Sequence, residues 1–142
     1  MIRKFAISDI DDVMDIWLKT NILTHDFIDS GYWESNYDSV KEAIQDAEIY
    51  VYDADGMIRG FIGVIDDYIA GLFVEQQFQS MGIGSKLLSH AKGLKTSLKL
   101  GVYAENKKAV AFYEKHGFTV SMEKMDEETG HVEYEMVWKG NV

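Results

Sequence analysis

Gln79-Ser80-Met81-Gly82-Ile83-Gly84-Ser85 is the stretch on which the reading of this chain turns. It lies between an apolar run, Tyr68 to Val74, and a segment whose apolar residues Ile83, Leu87, Leu88, Ala91 and Leu94 follow helical spacing. It therefore links a buried strand to an amphipathic helix. Gly82 and Gly84 allow a tight turn and close approach of a ligand, and the amides that converge there sit at the positive end of the helix. That is the chemistry of an anion site, although an isolated glycine turn reads the same way. Two common phosphate motifs do not fit. Seven residues separate Val74 from Gly82, and Leu87 stands where a dinucleotide fold needs its third glycine; no lysine follows a second glycine as in an ATP-binding loop.

Upstream, Ile2 to Ile7 reads as a strand and Ser8 as the N-cap of a helix whose first turn carries Asp9, Asp11 and Asp12. Ile10, Val13, Met14, Trp17, Leu18 and Asn21 give that helix one face, apolar until its last member. Leu23 to Tyr37 is aromatic-rich and irregular, and Ser39 to Gln45 reads as a short second helix. From Glu48 the period changes to two: Glu48 to Asp53, a turn at Ala54-Asp55-Gly56, then Met57 to Asp66, a hairpin that Tyr68 to Val74 extends into a meander. Downstream come a strand Leu98 to Ala104, a helix Lys107 to His116 closed by Gly117, and a hairpin of Phe118 to Lys124 with Val132 to Trp138. The order β-α-α-β-β-β-α-β-α-β-β implies an α/β (α+β) domain over residues 1–142, with a mixed, mostly antiparallel sheet carrying helices on both faces.

Gln79, Gly82 and Gly84 stand in register with Q/R-x-x-G-x-G/A, the signature of the GNAT (GCN5-related) N-acetyltransferases. Asn106 to Phe118 resembles the second motif of that family, N-x-x-A-x-x-F-Y-x-x-x-G-F. Trp17, Thr24 to Ile28 and Tyr32-Trp33 resemble the substrate-side helices of its small bacterial members, so the resemblance covers nearly the whole chain. It implies a slot for acyl-CoA between two splayed parallel strands, Ala70 to Val74 and Leu98 to Ala104. Leu72, Phe73 and Val74 would hold the pantetheine arm like an added strand. Gln79, Ser80, Met81, Gly82, Ile83, Gly84 and Ser85 would hold the pyrophosphate, and Asn106 and Phe112 would line the opposite wall.

Acetyl transfer to an amine needs a neutral nitrogen, a polarised thioester and a proton for the leaving thiolate. The resemblance makes Tyr113 the proton donor; the plain alternative is a core aromatic. Asn106 serves equally as the cap of its helix, and Phe112 equally as core packing. The base is less defined. Some relatives carry a glutamate where Leu100-Gly101-Val102-Tyr103 has glycine, which leaves His25, with an ordinary pKa near neutrality, as a catalytic candidate or a helix-terminal histidine bonded to backbone. Glu75, Asp67 and Tyr103 stand in reserve, and His90, His116 and His131 read as surface or cap residues. Trp17, Phe27, Tyr32 and Trp33, with Met14, form an aromatic and apolar set on the acceptor side, divided between core and substrate contact.

Composition narrows the classes. Nearly half of the 142 residues are apolar, enough for one sizeable core. There is no cysteine, so disulfides, thiolate metal sites and a thioester on the enzyme are excluded. A formal charge of −10 disfavours nucleic acid and anionic membrane and suits a cationic amine. No apolar run of about 18 residues and no signal segment is present, so a cytoplasmic protein, monomeric or homodimeric, is expected. No cluster has metal-ligand spacing, and no metal is expected. The expected activity is acetyl transfer from acetyl-CoA to a primary amine, on a small molecule, a protein lysine or an N-terminus. A non-catalytic acyl-CoA sensor is the runner-up, and a dinucleotide-binding oxidoreductase a distant third.

Overall fold

Ile49 and Val51 turn to one side of their strand while Tyr50 and Tyr52 turn to the other, and both sets reach a hydrophobic core. A sheet with two apolar faces must be covered on both. The computed structural model describes residues 1–140 and shows how this is done. In chain order the elements are β1 (Ile2–Lys4), α1 (Ile10–Thr24), α2 (Ser30–Asp46), β2 (Glu48–Ala54), β3 (Met57–Ile65), β4 (Tyr68–Val74), α3 (Ile83–Leu94), β5 (Ser97–Tyr103), α4 (Lys107–Lys115), β6 (Thr119–Asp126) and β7 (His131–Lys139). The strands form one sheet in the order β1-β2-β3-β4-β5-β7-β6. Among the described residues only β4 and β5 run parallel; the other neighbours are antiparallel. The expected fold class and element order therefore hold, and residues 141 and 142 of the expected domain lie outside the described residues.

Two cores separate the faces. On one, α3 and α4 bury Leu87, Leu88, Tyr113 and Phe118 against Ile62, Leu98, Leu100 and Met136. On the other, α1 and α2 bury Val13, Met14, Trp17, Trp33 and Ile44 against Ile49, Val51 and Phe61. On this second face α1 lies over β3 and β4, with Ile49 and Val51 of β2 in the same core and Tyr103 of β5 packed at its edge.

Three expectations are corrected. The first strand stops at Lys4 rather than Ile7, because Arg3 forks onto both carboxylate oxygens of Asp9 at 2.8 and 3.0 Å and also donates to Asp53 at 3.0 Å. Ser8 is not the helix cap. A 3-10 turn, Ile7–Asp9, precedes α1, and Asp9 occupies the cap position with its carboxylate committed to Arg3 and to the Ala6 amide. The second helix is not short: α2 runs from Ser30, with Asp29 accepting from the Gly31 amide, and places Trp33 and Ile44 in the core. A side-chain cap and an apolar stripe outweigh the low helix propensity of its aromatic first half.

Candidate active site

The slot begins at an irregularity in β4. Gly63 faces Gly71 and the next residue, Val64, faces Ile69, so Ala70 is an extra residue on β4. A bulge of this kind reverses the alternation of side chains beyond it. Ile69 packs in the α3/α4 core, as do Leu72 and Val74, while Phe73 goes to the α1/α2 core. Pairing with β5 ends at the same place, after Tyr68 with Lys99 and Ile69 with Leu100. Leu72, Phe73 and Val74 thus lie along one arm of a V and Val102 and Tyr103 along the other, with Gly101 beside the vertex.

At the wide end stands the glycine-bearing turn. Gly82 caps α3 in the left-handed region, φ 82°, where a side chain is disfavoured, and a Cβ there would point into open space. Ser80 also takes positive φ, 69°. The first backbone bond of α3 runs from Lys86 N–H to Gly82 O, so the amides of Ile83, Gly84 and Ser85 precede it and are the orphan donors of a helix start. Gln79 fastens the turn by donating to Val74 O at 3.0 Å, Met81 is exposed, and Ile83 is buried as an anchor. Ser85 Oγ lies 3.1 Å from His116 Nε2 at the end of α4. A cradle of free amides, open at Gly82 and adjoining the V, fits the diphosphate of a coenzyme whose arm extends along β4.

Helix α4 closes the other side. Asn106 caps it, its Oδ1 accepting from Ala109 N–H at 3.2 Å. The Phe112 ring lies 3.5 Å from where a Cβ of Gly84 would be, and Val74 lies 3.7 Å from that point, so Gly84 sits between the two walls. Tyr113 is buried, with Phe112 and Phe118 edge-on at 5.3 and 5.6 Å between ring centres. Burial raises the pKa of its phenol, which keeps the proton on the oxygen.

His25 follows the last turn of α1, stacked on Trp33 at 5.4 Å and edge-on to Phe27 and Tyr103. Its two nitrogens have fixed roles. Asn21, 3% exposed, donates its amide to Trp17 O at 2.9 Å, so the atom facing His25 Nδ1 at 3.1 Å is an oxygen and Nδ1 must carry the hydrogen. Asn106 has its oxygen on Ala109, so its amide donates to the bare Nε2 at 3.2 Å. Burial lowers the imidazole pKa to about 4, in keeping with this neutral tautomer. Trp17 and Trp33 pack edge to face at 6.1 Å, and Tyr32 stands edge-on to Trp33 at 4.9 Å. The four aromatic residues expected on the acceptor side thus gather around His25 or its neighbours, with Trp17 and Trp33 buried as core.

Residues 45–120, which hold the bulge, the cradle and Tyr113, match the family model described as an acetyltransferase (GNAT) domain. The chain belongs to the GNAT acetyltransferase family. It is 29% identical over 140 residues to the peptidyl-lysine N-acetyltransferase YiaC of Escherichia coli, covering 97% of this chain and 96% of that one. To the peptidyl-lysine N-acetyltransferase YjaB of Salmonella typhimurium it is 30% identical over 122 residues, 84% and 83% of the two chains. The solution structure of apo YjaB from Escherichia coli superposes with a TM-score of 0.87 at 24% identity over 99% of this chain and 98% of the other, a likeness of fold. As a GNAT enzyme the chain is an N-acetyltransferase that draws on acetyl-CoA.

Several groups around the GNAT slot are visible only in the fold. Asn21 ends an apolar stripe in sequence, yet it orients His25. The β6–β7 turn meets the start of α2, where Tyr32 donates to Glu128 Oε2 at 2.7 Å, and Tyr103 donates to Asp126 Oδ2 at 2.9 Å. Burial, aided by these carboxylates, raises both phenols, that of Tyr32 to about 12. His131 lies 2.7 Å from Glu105 Oε1 and against Phe27. A cavity of about 190 Å³ lined in part by Trp17, Ala70, Gly71 and Phe73 opens on the same face as these groups. No helix is long and apolar enough to cross a membrane among the described residues.

Proposed function

We propose that this enzyme moves the acetyl group of acetyl-CoA directly onto the primary amine of a protein lysine, within a ternary complex, as one catalytic unit spanning residues 1–142. The opening of β4 from β5 immediately before a cradle of free amides carries the reading. The relatives named as peptidyl-lysine acetyltransferases support the choice of acceptor, and the net charge of −10 favours a cationic partner over nucleic acid or anionic membrane. The proposed setting is the cytoplasm.

In this proposal the diphosphate rests on the turn from Ser80 into α3, on free amides that include those of Ile83, Gly84 and Ser85, while the Gln79 amide is spent on Gln76 O. Because the cradle lies beyond the C-terminal end of β4, the arm runs back along Leu72, Phe73 and Val74 and its thioester points to the vertex. The amine enters from the α1/α2 face and the sulfur turns toward α4. The nitrogen bonds to the thioester carbon, the carbon–sulfur bond breaks, and Tyr113 gives its proton to the thiolate. A buried phenol suits that step, since it stays protonated until sulfur takes the charge. His25, held neutral with its lone pair on Asn106, orients the start of α4 and the aromatic wall; it is a positioning group rather than the base. No metal is assigned a part.

Acetyl-CoA offered with lysine peptides and small amines, with free thiol as readout, tests the activity. Turnover with intersecting initial-rate lines supports it. Parallel lines with an isolable acetyl-enzyme refute direct transfer, and thermal protection by CoA without thiol release from any amine points to a sensor.

A further inference from the structure

At physiological pH a lysine amine is a cation and must shed a proton before it can attack, since its ordinary pKa is about 10.4. Neither residue given a part in the transfer can take it: Tyr113 holds a proton for the sulfur, and the Nε2 lone pair of His25 is occupied by Asn106. The vertex of the V is where a proton acceptor is needed, and there β5 carries a glycine. The space beside it is filled from another strand. A Cβ built on Gly101 would lie 2.6 Å from Glu133 Oε1 and 3.1 Å from the Tyr68 hydroxyl. Glu133 belongs to β7 and is paired in register with Tyr103, so its side chain shares the face of Tyr103 and Gly101 and leans back along β5 to reach the vertex.

We infer that Glu133 is the catalytic base of the transfer, with Gly101 present because any side chain there would displace its carboxylate. Tyr68, paired with Lys99 one step before β4 and β5 part, stands across from it; its phenol is raised by burial and then by Glu133 itself. The charged neighbour is Lys124 of β6, at 3.7 Å with its side chain 54% exposed, a loose and solvated partner that an incoming ammonium can displace. The proton balance closes. The ammonium gives one proton to Glu133, which returns it to solvent. The freed lone pair forms the new carbon–nitrogen bond, and the second proton shed by nitrogen makes good the one that Tyr113 gives to the thiolate. Each turnover thus releases one proton with CoA and the amide.

This inference rests on the acetyltransferase reading, and the experiment separates the two. Wild type, Glu133→Gln and Glu133→Gly are assayed with acetyl-CoA and a lysine peptide, then with the same peptide bearing an aminooxy group, which is neutral at the assay pH. With lysine, Glu133→Gln is expected to lose roughly 10²- to 10⁴-fold in kcat/KM at an unchanged KM for acetyl-CoA. With the aminooxy acceptor the loss should shrink at least tenfold. Formate added to Glu133→Gly should restore lysine turnover in proportion to its concentration, and the exchange Gly101→Glu with Glu133→Gly should recover part of the rate by returning a carboxylate to the vertex. A Glu133→Gln enzyme within about twofold of wild type on lysine, or one with the same deficit on both acceptors and no formate rescue of Glu133→Gly, overturns the role of Glu133 and leaves the acetyltransferase standing. A wild type without turnover on any amine removes both.

Discussion

His25 and Asn106, 81 positions apart, meet at 3.2 Å between the imidazole Nε2 and the side-chain amide. Through this bond the end of α1 is fastened to the start of α4. Polarity runs in one sense, from the Ala109 amide into Asn106, from Asn106 into His25, from His25 into Asn21 and from Asn21 into the Trp17 carbonyl. Each polar atom has one acceptable partner, so the set is strong only when complete.

Asn106→Ala breaks it in the middle. The cap of α4 is lost, typically about 1 kcal/mol, and a half-buried ring nitrogen loses its donor, about 1 kcal/mol more. Urea unfolding should show a lowered midpoint at unchanged slope. Asn106→Asp, which keeps the cap but offers an acceptor to Nε2, should recover only part of that. Equal stability of wild type and Asn106→Ala would show the bond to be idle.

Stability should also fall on mild acidification. Above pH 6.5 His25 is neutral in both states and costs nothing. As the pH falls, the unfolded chain takes up a proton near 6.5 whereas the folded protein resists until about 4, so stability is lost across that window. Thermal melting from pH 7 to pH 4 should decline more steeply in wild type than in His25→Gln. An NMR titration placing the His25 midpoint near 6.5 would contradict the half-buried, bonded ring.

Tyr113→Phe removes one oxygen and leaves the packing on Phe112 and Phe118 in place. Acetyl-CoA affinity should survive, while kcat falls roughly 10²- to 10⁴-fold, less for a donor thioester with a better leaving group. A normal kcat would make Tyr113 a packing residue and hand the proton to water.

Gly82→Asp places a carboxylate at the mouth of the cradle. A Cβ meets nothing there, so the variant should fold, with about 1 kcal/mol of strain from the positive φ. CoA should no longer raise its melting temperature. Undiminished protection would locate the diphosphate elsewhere.

The sheet, its order of elements and the cradle were legible because period, turn residues and glycine spacing are local properties. The first half of α2 was not. Gly31, Tyr32 and Trp33 argue against a helix taken alone, and only the Asp29 cap and the stripe Trp33, Tyr37, Val40 and Ile44, once packed on Trp17, decide the matter. The site divides similarly. Tyr113 and Asn106 lie in a contiguous motif, whereas Asn21 looked like the frayed end of an apolar stripe. Glu133 was one of many surface carboxylates, and its place depends on the register of β7 against β5, which no local pattern states. Ser8 misled because Asp9 beside it had a stronger partner in Arg3.

Ala70 is the one residue in β4 with no opposite number in β3. Were it deleted, the zipper of β4 and β5 would be free to close past Ile69, side chains beyond would fall into step, and the sheet would run unbroken. Such a protein would keep its cores and have nowhere to admit a coenzyme. On the proposed reading, catalysis depends on a counting error held in place by folding: a single supernumerary residue is the difference between an inert slab and a doorway.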